Sequence, residues 1–557
     1  AVSELRRIAD ERCFIGGMTG VVTDIKNLCD EELPIYVVIA VLLSLLVLEL
    51  TSTSYLTPLL FLFSIGAAIL YNLGSNVFLG ETSYITKALT AILQLGVTMD
   101  YSIFLLNSYE ENKRRFPGEK ERAMGHAIAN TFKSVVGSSV TTIAGFAALC
   151  FMTFALGRDL GIVMAKGVVI GVLCCVTLLP SLIFDKLIEK TKHKPLIKSM
   201  DRPSAFITKH YKVWIVIFLI MLFPAIYGNN HTQIYYDIAK SLPDTLASNV
   251  ANEKLKEDFE MSNMHMILMD KDMDQKAKAD MLEEVDKIDG VKWSLGLDSL
   301  IGPMVPDSMI PEDVKEMLQS DNYELAFICS EYESATDQVN DQIAAIDKIV
   351  KSYDDTAMVI GEAPLMKDLQ DVTDVDLINV NAVSMIAIFL IIMIVFKSIS
   401  LPVILVAVIE FAIAVNMAVP YYSGISLPFV ASIVIGTIQL GATVDYAILM
   451  TSRYQKERML RGQTKKDAIA IAHKTSMPSI ISSGLSFFAA TFGVACYSKV
   501  DMIGSICTLL ARGALISMCV VILVLPAMLM IFDKVILKTT FGFGKQKQEN
   551  QIQQTQN

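Results

Sequence analysis

Gln94-Leu95-Gly96-Val97-Thr98-Met99-Asp100-Tyr101 returns 345 residues later as Gln439-Leu440-Gly441-Ala442-Thr443-Val444-Asp445-Tyr446. Each copy lies in an apolar run of about 20 residues, long enough to cross a roughly 30 Å hydrocarbon layer as a helix. Polar residues stay in register in the runs that follow. Ser138 and Ser139 match Ser482 and Ser483 at an offset of 344, Ala165-Lys166-Gly167 matches Ala511-Arg512-Gly513 at 346, and Pro180 matches Pro526 at 346. Chance similarity between apolar helices would not keep polar positions in step across three helices, so the chain is internally duplicated. Both copies run the same way through the membrane, as parallel repeats related by an axis along the membrane normal.

Composition agrees with a membrane setting. Of 557 residues 53% are hydrophobic and 19% charged, and mean hydropathy is +0.48, a value soluble globular proteins rarely reach. Eleven candidate spans fall near 35–50, 54–73, 84–107, 134–156, 161–185, 213–228, 380–396, 400–421, 427–451, 476–497 and 503–532. The long connections at 109–133, 186–212 and 453–474 and the stretch after 533 are basic, with Lys113, Arg114, Arg115, Lys192, Lys194, Arg458, Arg461, Lys465 and Lys466. The positive-inside rule places them in the cytoplasm. Residues 229–378 hold 33 Asp plus Glu against 12 Lys and no Arg, a charge of -21, while the rest of the chain sums to +10. That segment is expected outside.

The domain order expected is 1–34 outside, a first membrane bundle at 35–185, a cytoplasmic linker at 186–212 and the first helix of the second half at 213–228. The outside domain at 229–378, a second bundle at 379–533 and a cytoplasmic tail at 534–557 follow. A single cysteine placed at Asp307 in a Cys-free background should react with an impermeant maleimide on intact cells. Labelling only after permeabilisation would reverse the orientation.

The outside segment alternates apolar runs and amphipathic stretches: strands at 264–269, 291–297, 323–330 and 357–361, helices at 274–288 and 334–352, and a helical or irregular stretch with Pro303, Pro306 and Pro311. The order βαββαβ is that of a ferredoxin-like split unit. From Lys545 onward the chain is Gln- and Asn-rich and reads as a disordered tail.

Asp100 and Asp445 sit inside their apolar runs, where an ionisable residue costs several kcal/mol unless it is paired, neutral or wetted. Two such residues in register inside matching motifs point to proton exchange between the two sides rather than to a helix–helix hydrogen bond. Tyr101 and Tyr446 diverge from their own Asp by about 100° around the helix and are better placed to donate across to the Asp of the opposite repeat. Gln94, Thr98, Gln439 and Thr443 stand close along the same helices and could hold ordered water. Lys166 and Arg512, near mid-membrane, read either as counter-charges to the Asp pair or as cations snorkelling to the headgroups. Glu410 has no partner in the other repeat and stands as a possible second proton-linked site.

Other chemistries find less support. Met261, Met264, His265, Met266, Met269 and Met273 cluster near the first outside strand and would suit Cu(I), but 28 Met make such clusters common, and strand alternation splits them between two faces. The nine Cys show no disulfide or zinc spacing, and no metal or other cofactor is expected. Walker loops, nucleotide fingerprints and nucleophile elbows are missing, so neither an ATP-driven pump, an enzyme nor a nucleic-acid binder is indicated.

On these motifs the chain resembles the MMPL family of the resistance-nodulation-division (RND) superfamily, over residue 1 to about 535. The Gly-x-Thr-x-Asp-Tyr motifs at 96–101 and 441–446, the acidic segment at 229–378 and the parallel repeat carry the resemblance. It implies a polytopic α-helical membrane protein with a duplicated RND-type bundle and an extracytoplasmic α+β porter domain. It also implies export of lipids or other amphiphiles driven by protons through a relay of Asp100, Tyr101, Asp445 and Tyr446. Sterol-sensing receptors and protein-translocation motors of the same superfamily are the alternatives. The family has twelve helices and two porter domains, against eleven spans and one complete domain here. Phe14-Ile15-Gly16-Gly17 lines up with the last porter strand, Val359-Ile360-Gly361-Glu362, so the chain is expected to start at the end of a first porter domain.

Overall fold

The computed structural model describes residues 2–9, 13–183, 188, 190–194, 200–297 and 312–541, apart from the side chains of 132–134 and 312–314. The stretch with Pro303, Pro306 and Pro311 and the tail after 541 lie outside the described residues.

In lipid each backbone N–H and C=O must be satisfied within its own segment, so the apolar runs fold as helices. In chain order the elements are α1 (Val2–Ile8), α2 (Met18–Thr51), α3 (Leu56–Gly74), α4 (Tyr84–Arg115), α5 (Lys120–Ala148), α6 (Ala155–Leu182), α7 (Asp201–Lys209) and α8 (Tyr211–Asn230). A mixed segment follows: α9 (Ala247–Phe259), β1 (Asn263–Asp270), α10 (Gln275–Val285), β2 (Val291–Leu295), α11 (Glu312–Leu318), β3 (Tyr323–Ser330), α12 (Asp337–Tyr353) and β4 (Met358–Gly361). The second helical set is α13 (Glu362–Phe396), α14 (Ser400–Ser423), α15 (Phe429–Gln455), α16 (Lys465–Tyr497), α17 (Asp501–Leu523) and α18 (Leu525–Thr539). The chain divides into two compact units, Ala1–Leu28 with Tyr235–Val375, and Cys29–Ile234 with Asp376–Asn557.

In the first unit the four strands form one antiparallel sheet of order β2-β3-β1-β4, the ferredoxin-like arrangement expected from the sequence. Alternation along β1 turns Ile267 and Met269 inward, where with Ala326 and Ile328 of β3 they meet Met281, Leu282 and Val285 of α10 and Ile346 and Val350 of α12. Asp274 and Thr336 start the two helices by accepting from Ala277 N and Val339 N. Phe14–Gly16 forms no strand: a strand exists only within a ladder, none of the described strands pairs with it, and the chain bends at Gly17, φ +81°, into α2.

This core also holds an ion pair. Lys278 Nζ donates to Glu324 Oε2 at 2.8 Å and to Lys271 O at 2.9 Å, and Gln319 Nε2 donates to the same Glu324 oxygen at 2.9 Å. Both charged side chains are buried. Lys278→Ala is therefore expected to destabilise this unit by about 3–5 kcal/mol, because it strands a carboxylate without its cation. Lys278→Met with Glu324→Leu should recover most of the loss. The urea midpoint, followed through Trp293 fluorescence in a Trp214→Phe background, would measure both; an unchanged midpoint for Lys278→Ala would refute the role.

The second unit carries the repeat, with α2–α6 corresponding to α13–α17. Ten described helices are long and apolar enough to cross a membrane, and α5, bent by 42° between Thr131 and Val135, makes up to eleven. The apolar windows of α4 and α15 are 100% and 94% buried, against 22% for α2 and α13, so the two motif helices form the centre while α2 and α13 face outward. α4 packs on α16 and α15 on α5, each motif helix against the following helix of the other repeat. The single span read at 503–532 breaks at Val524 into α17 and α18. Pro526, which has no N–H to give a continuous helix, sits in the first turn of α18, where none is needed.

Candidate functional site

Glycine sets how close the central helices come. A Cβ on Gly145 of α5 would lie 3.1 Å from Thr437 O and 3.2 Å from Gly441 Cα of α15, so this crossing is backbone against backbone. At the equivalent crossing of α4 on α16 a Cβ on Gly96 would lie 2.1 Å from the Phe487 ring, which fills the space instead. Thr142 stands where the other repeat has Phe487, and its hydroxyl donates to Gly441 O at 3.0 Å.

Between these crossings the two carboxyl groups are buried, Asp100 3% and Asp445 1% exposed, within electrostatic reach of each other. Each is faced by a serine of the opposite repeat: Ser483 Oγ donates to Asp100 Oδ1, and Ser138, with Thr142, flanks Asp445. The serines that correspond are thus Ser138 and Ser483, at the offset of 345 shared with the Asp pair. The sequence register of 344, which matched Ser138 to Ser482, is one residue off, because the two Asp residues rather than sequence likeness define equivalent places. The pair is also unequal. Asp445 Oδ1 and the Tyr101 hydroxyl are buried without a hydrogen-bond partner among the described residues.

Tyr101 and Tyr446 are fully buried and lie within electrostatic reach of Asp445 and Asp100 respectively, each beside the carboxylate of the other repeat as the helix geometry required. The expected donation from Tyr101 to Asp445 is not made. The Thr98 and Thr443 hydroxyls donate to Gln94 O at 2.7 Å and Gln439 O at 2.6 Å, one turn back on their own helices. That backbone carbonyl is the nearest acceptor a helical threonine has.

Gln94 and Gln439 belong to a second duplicated network. Asn72 Nδ2 donates to Gln94 Oε1 and Asn416 Nδ2 to Gln439 Oε1, both at 2.8 Å, while Gln94 Nε2 donates to Gly167 O and Gln439 Nε2 to Ser517 Oγ, both at 3.0 Å. Lys166 Nζ donates to Asn72 O at 3.0 Å and to Asn76 Oδ1 at 2.5 Å. Arg512 donates to Asn416 Oδ1 at 2.7 Å and Asn416 O at 2.9 Å. Among the described residues neither cation pairs with an Asp; both are held by the asparagine layer, Lys166 at the carbonyl-rich end of α3 where a cation is favoured. Asn72 and Asn416 were missed as site residues, although their offset of 344 marks them as repeat partners.

A third duplicated contact joins the repeats. Asp376 of α13 accepts from Thr153 N at 3.0 and 2.9 Å and from Phe154 N at 3.0 Å, at the N-terminus of α6. Glu32 of α2, 344 residues earlier, accepts from Tyr36 Oη at 2.5 Å and Lys499 N at 3.3 Å, just before α17, and Tyr36 Oη is 2.8 Å from Ser498 Oγ. Each carboxylate thus clasps the helix start of the opposite repeat.

Ten or eleven membrane-spanning helices in two parallel repeats, with carboxylates at their shared centre, define a duplicated multi-pass membrane protein. The chain belongs to the MMPL family, whose model matches residues 1–186 and 240–551. It is similar to the siderophore exporter MmpL5 of Mycobacterium tuberculosis, 23% identical over 283 residues, 49% of this chain and 29% of that protein. It is also similar to the membrane protein ActII-3 of Streptomyces coelicolor, 31% identical over 148 residues, 25% of this chain and 20% of that one. With the membrane protein MJ1562 of Methanocaldococcus jannaschii it shares 36% identity over 109 residues, 19% and 27% of the two chains. Each match spans less than a third of the relative's length.

Proposed function

We propose that this chain is the membrane part of a secondary transporter that moves lipids or other amphiphiles out of the cell at the expense of an inward proton flow. The observation that carries the reading is the crossed pair, Asp100 with Ser483 and Asp445 with Ser138, at the centre of two equivalent bundles. In the relay, Asp100 and Asp445 hold and release the proton, Tyr101 and Tyr446 pass it across the axis, and the asparagine–glutamine layers register the shift of one bundle against the other. The unsatisfied Asp445 oxygen and Tyr101 hydroxyl mark where a rearrangement or a proton would be accommodated. A relative that exports a siderophore fits an amphiphilic cargo and outward direction.

The test is proton flux coupled to cargo. The protein is reconstituted into liposomes with an internal pH dye. A lipid extract of the source cells should then speed the decay of an imposed pH gradient, and protonophore should stop accumulation of the extract's amphiphiles. A gradient decay indifferent to the extract would exclude the reading.

A further inference from the structure

Glu410 stands apart from the duplicated networks. It lies on α14, and the offset of 344 that relates Asn72 to Asn416 places Gly66 at its position in the first repeat. A Cβ on Gly66 would meet nothing within 4 Å, so that place in α3 is open and uncharged. A carboxylate present in one repeat only is poorly suited to a relay built twofold and calls for a one-sided role.

That role is suggested by the cavity it lines. Helices α8, α13, α14 and α15 enclose a space of about 360 Å³, bordered by Glu410, Asn230, Asn381, Ser432, Met385 and Ile413 among others. Glu410 is the sole ionisable residue in its lining, and among the described residues it takes part in no ion pair or hydrogen bond. Asn381 Oδ1 lies against Gly436, 2.8 Å from where a Cβ would be, so the glycine keeps room for the amide at the cavity edge. Met385, Ile413 and Ile435 supply an apolar remainder. The volume is at the lower end of the roughly 300–1,000 Å³ of small-molecule sites, which are mostly apolar with a few converging polar groups.

We infer that this cavity binds the ammonium head of a cationic or zwitterionic amphiphile, with Glu410 as the counter-charge and the apolar wall along the first part of its chain. An unpaired carboxylate between membrane helices is costly, and an entering ammonium group removes that cost while making charge-assisted hydrogen bonds. Asn381 and Ser432 offer oxygen acceptors to the remaining N–H groups. The inference rests on the transporter reading for its relevance, since it names the class of cargo, but the binding itself needs no gradient.

The test uses the full chain in phosphatidylcholine nanodiscs, with empty discs as background and three probes of equal chain length: n-octylammonium, n-octyl glucoside and n-octyl sulfate. Calorimetry should show octylammonium binding at least about tenfold tighter than octyl glucoside, the size of one charge-assisted contact. In Glu410→Gln the preference should shrink to within about twofold at an unchanged melting temperature. Gly436→Leu, which fills the cavity, should weaken all three probes, and Asp445→Asn should leave the preference intact, which separates this inference from the relay. If phosphatidylethanolamine in the discs competes with octylammonium, the ligand source is a lipid headgroup; if it does not, a free amphiphile. A native chain that does not distinguish the heads, or a preference that survives Glu410→Gln, would overturn the inference.

Discussion

Asp445→Asn and Asp100→Asn should each reduce cargo-coupled proton flux to the background of empty liposomes while leaving membrane insertion and yield intact. The amide keeps the shape of the carboxyl and is cheaper to bury than a charge, so the bundle has no reason to unfold. It cannot carry the proton. For Asp100 the amide can still accept from Ser483, so the packing contact survives while titration is lost. Tyr101→Phe should cost less, because it removes a hydroxyl and no charge. Ser483→Ala should fall between, removing one donor to Asp100 without removing the acid. Flux measured in proteoliposomes with an imposed pH gradient decides the matter: normal coupling in either Asn variant would eliminate the pair as the proton path.

Asp376→Ala should give the largest loss of stability in the membrane unit, about 2–4 kcal/mol, because it uncaps the start of α6 and leaves two backbone N–H groups without their acceptor. The carboxylate is 2% exposed, so water cannot readily take its place. Asp376→Asn should lose less, since the amide oxygen still accepts. Glu32→Ala, whose contact on the α17 side is longer and relies on Tyr36 and Ser498, should cost about half as much. Thermal unfolding in nanodiscs would rank the three. Equal melting temperatures for Asp376→Ala and the native chain would show that the clasp contributes nothing.

Much of this was legible along the chain. The motif Gly-x-Thr-x-Asp-Tyr located both carboxylates and both tyrosines, and hydropathy located the apolar runs, although α2, α5, α13 and α16 begin 11 to 18 residues before the runs expected for them and the last run is broken where Pro526 falls. The alternation of β1 and the periodicity of α10 and α12 foretold the sheet and its helical cover, since each element writes its buried face at its own period. The asparagines at 72 and 416 and the acids at 32 and 376 were equally readable from the offset but carry no motif of their own.

What the sequence alone determined is therefore everything that repeats or alternates: the duplication, the spans, the βαββαβ order and the identity of the central Asp and Tyr residues. Tertiary structure decided the partners. Ser483 meets Asp100 and Ser138 flanks Asp445 because α4 packs on α16 and α15 on α5, pairings between residues more than 300 positions apart that no local period encodes. The same packing set Lys166 and Arg512 against the asparagine layer rather than the Asp pair. A buried polar atom takes the acceptor that lies nearest in space, and in a helix bundle that distance is set by which helices cross and how closely, here by Gly145 against Gly441 and Gly96 beneath Phe487.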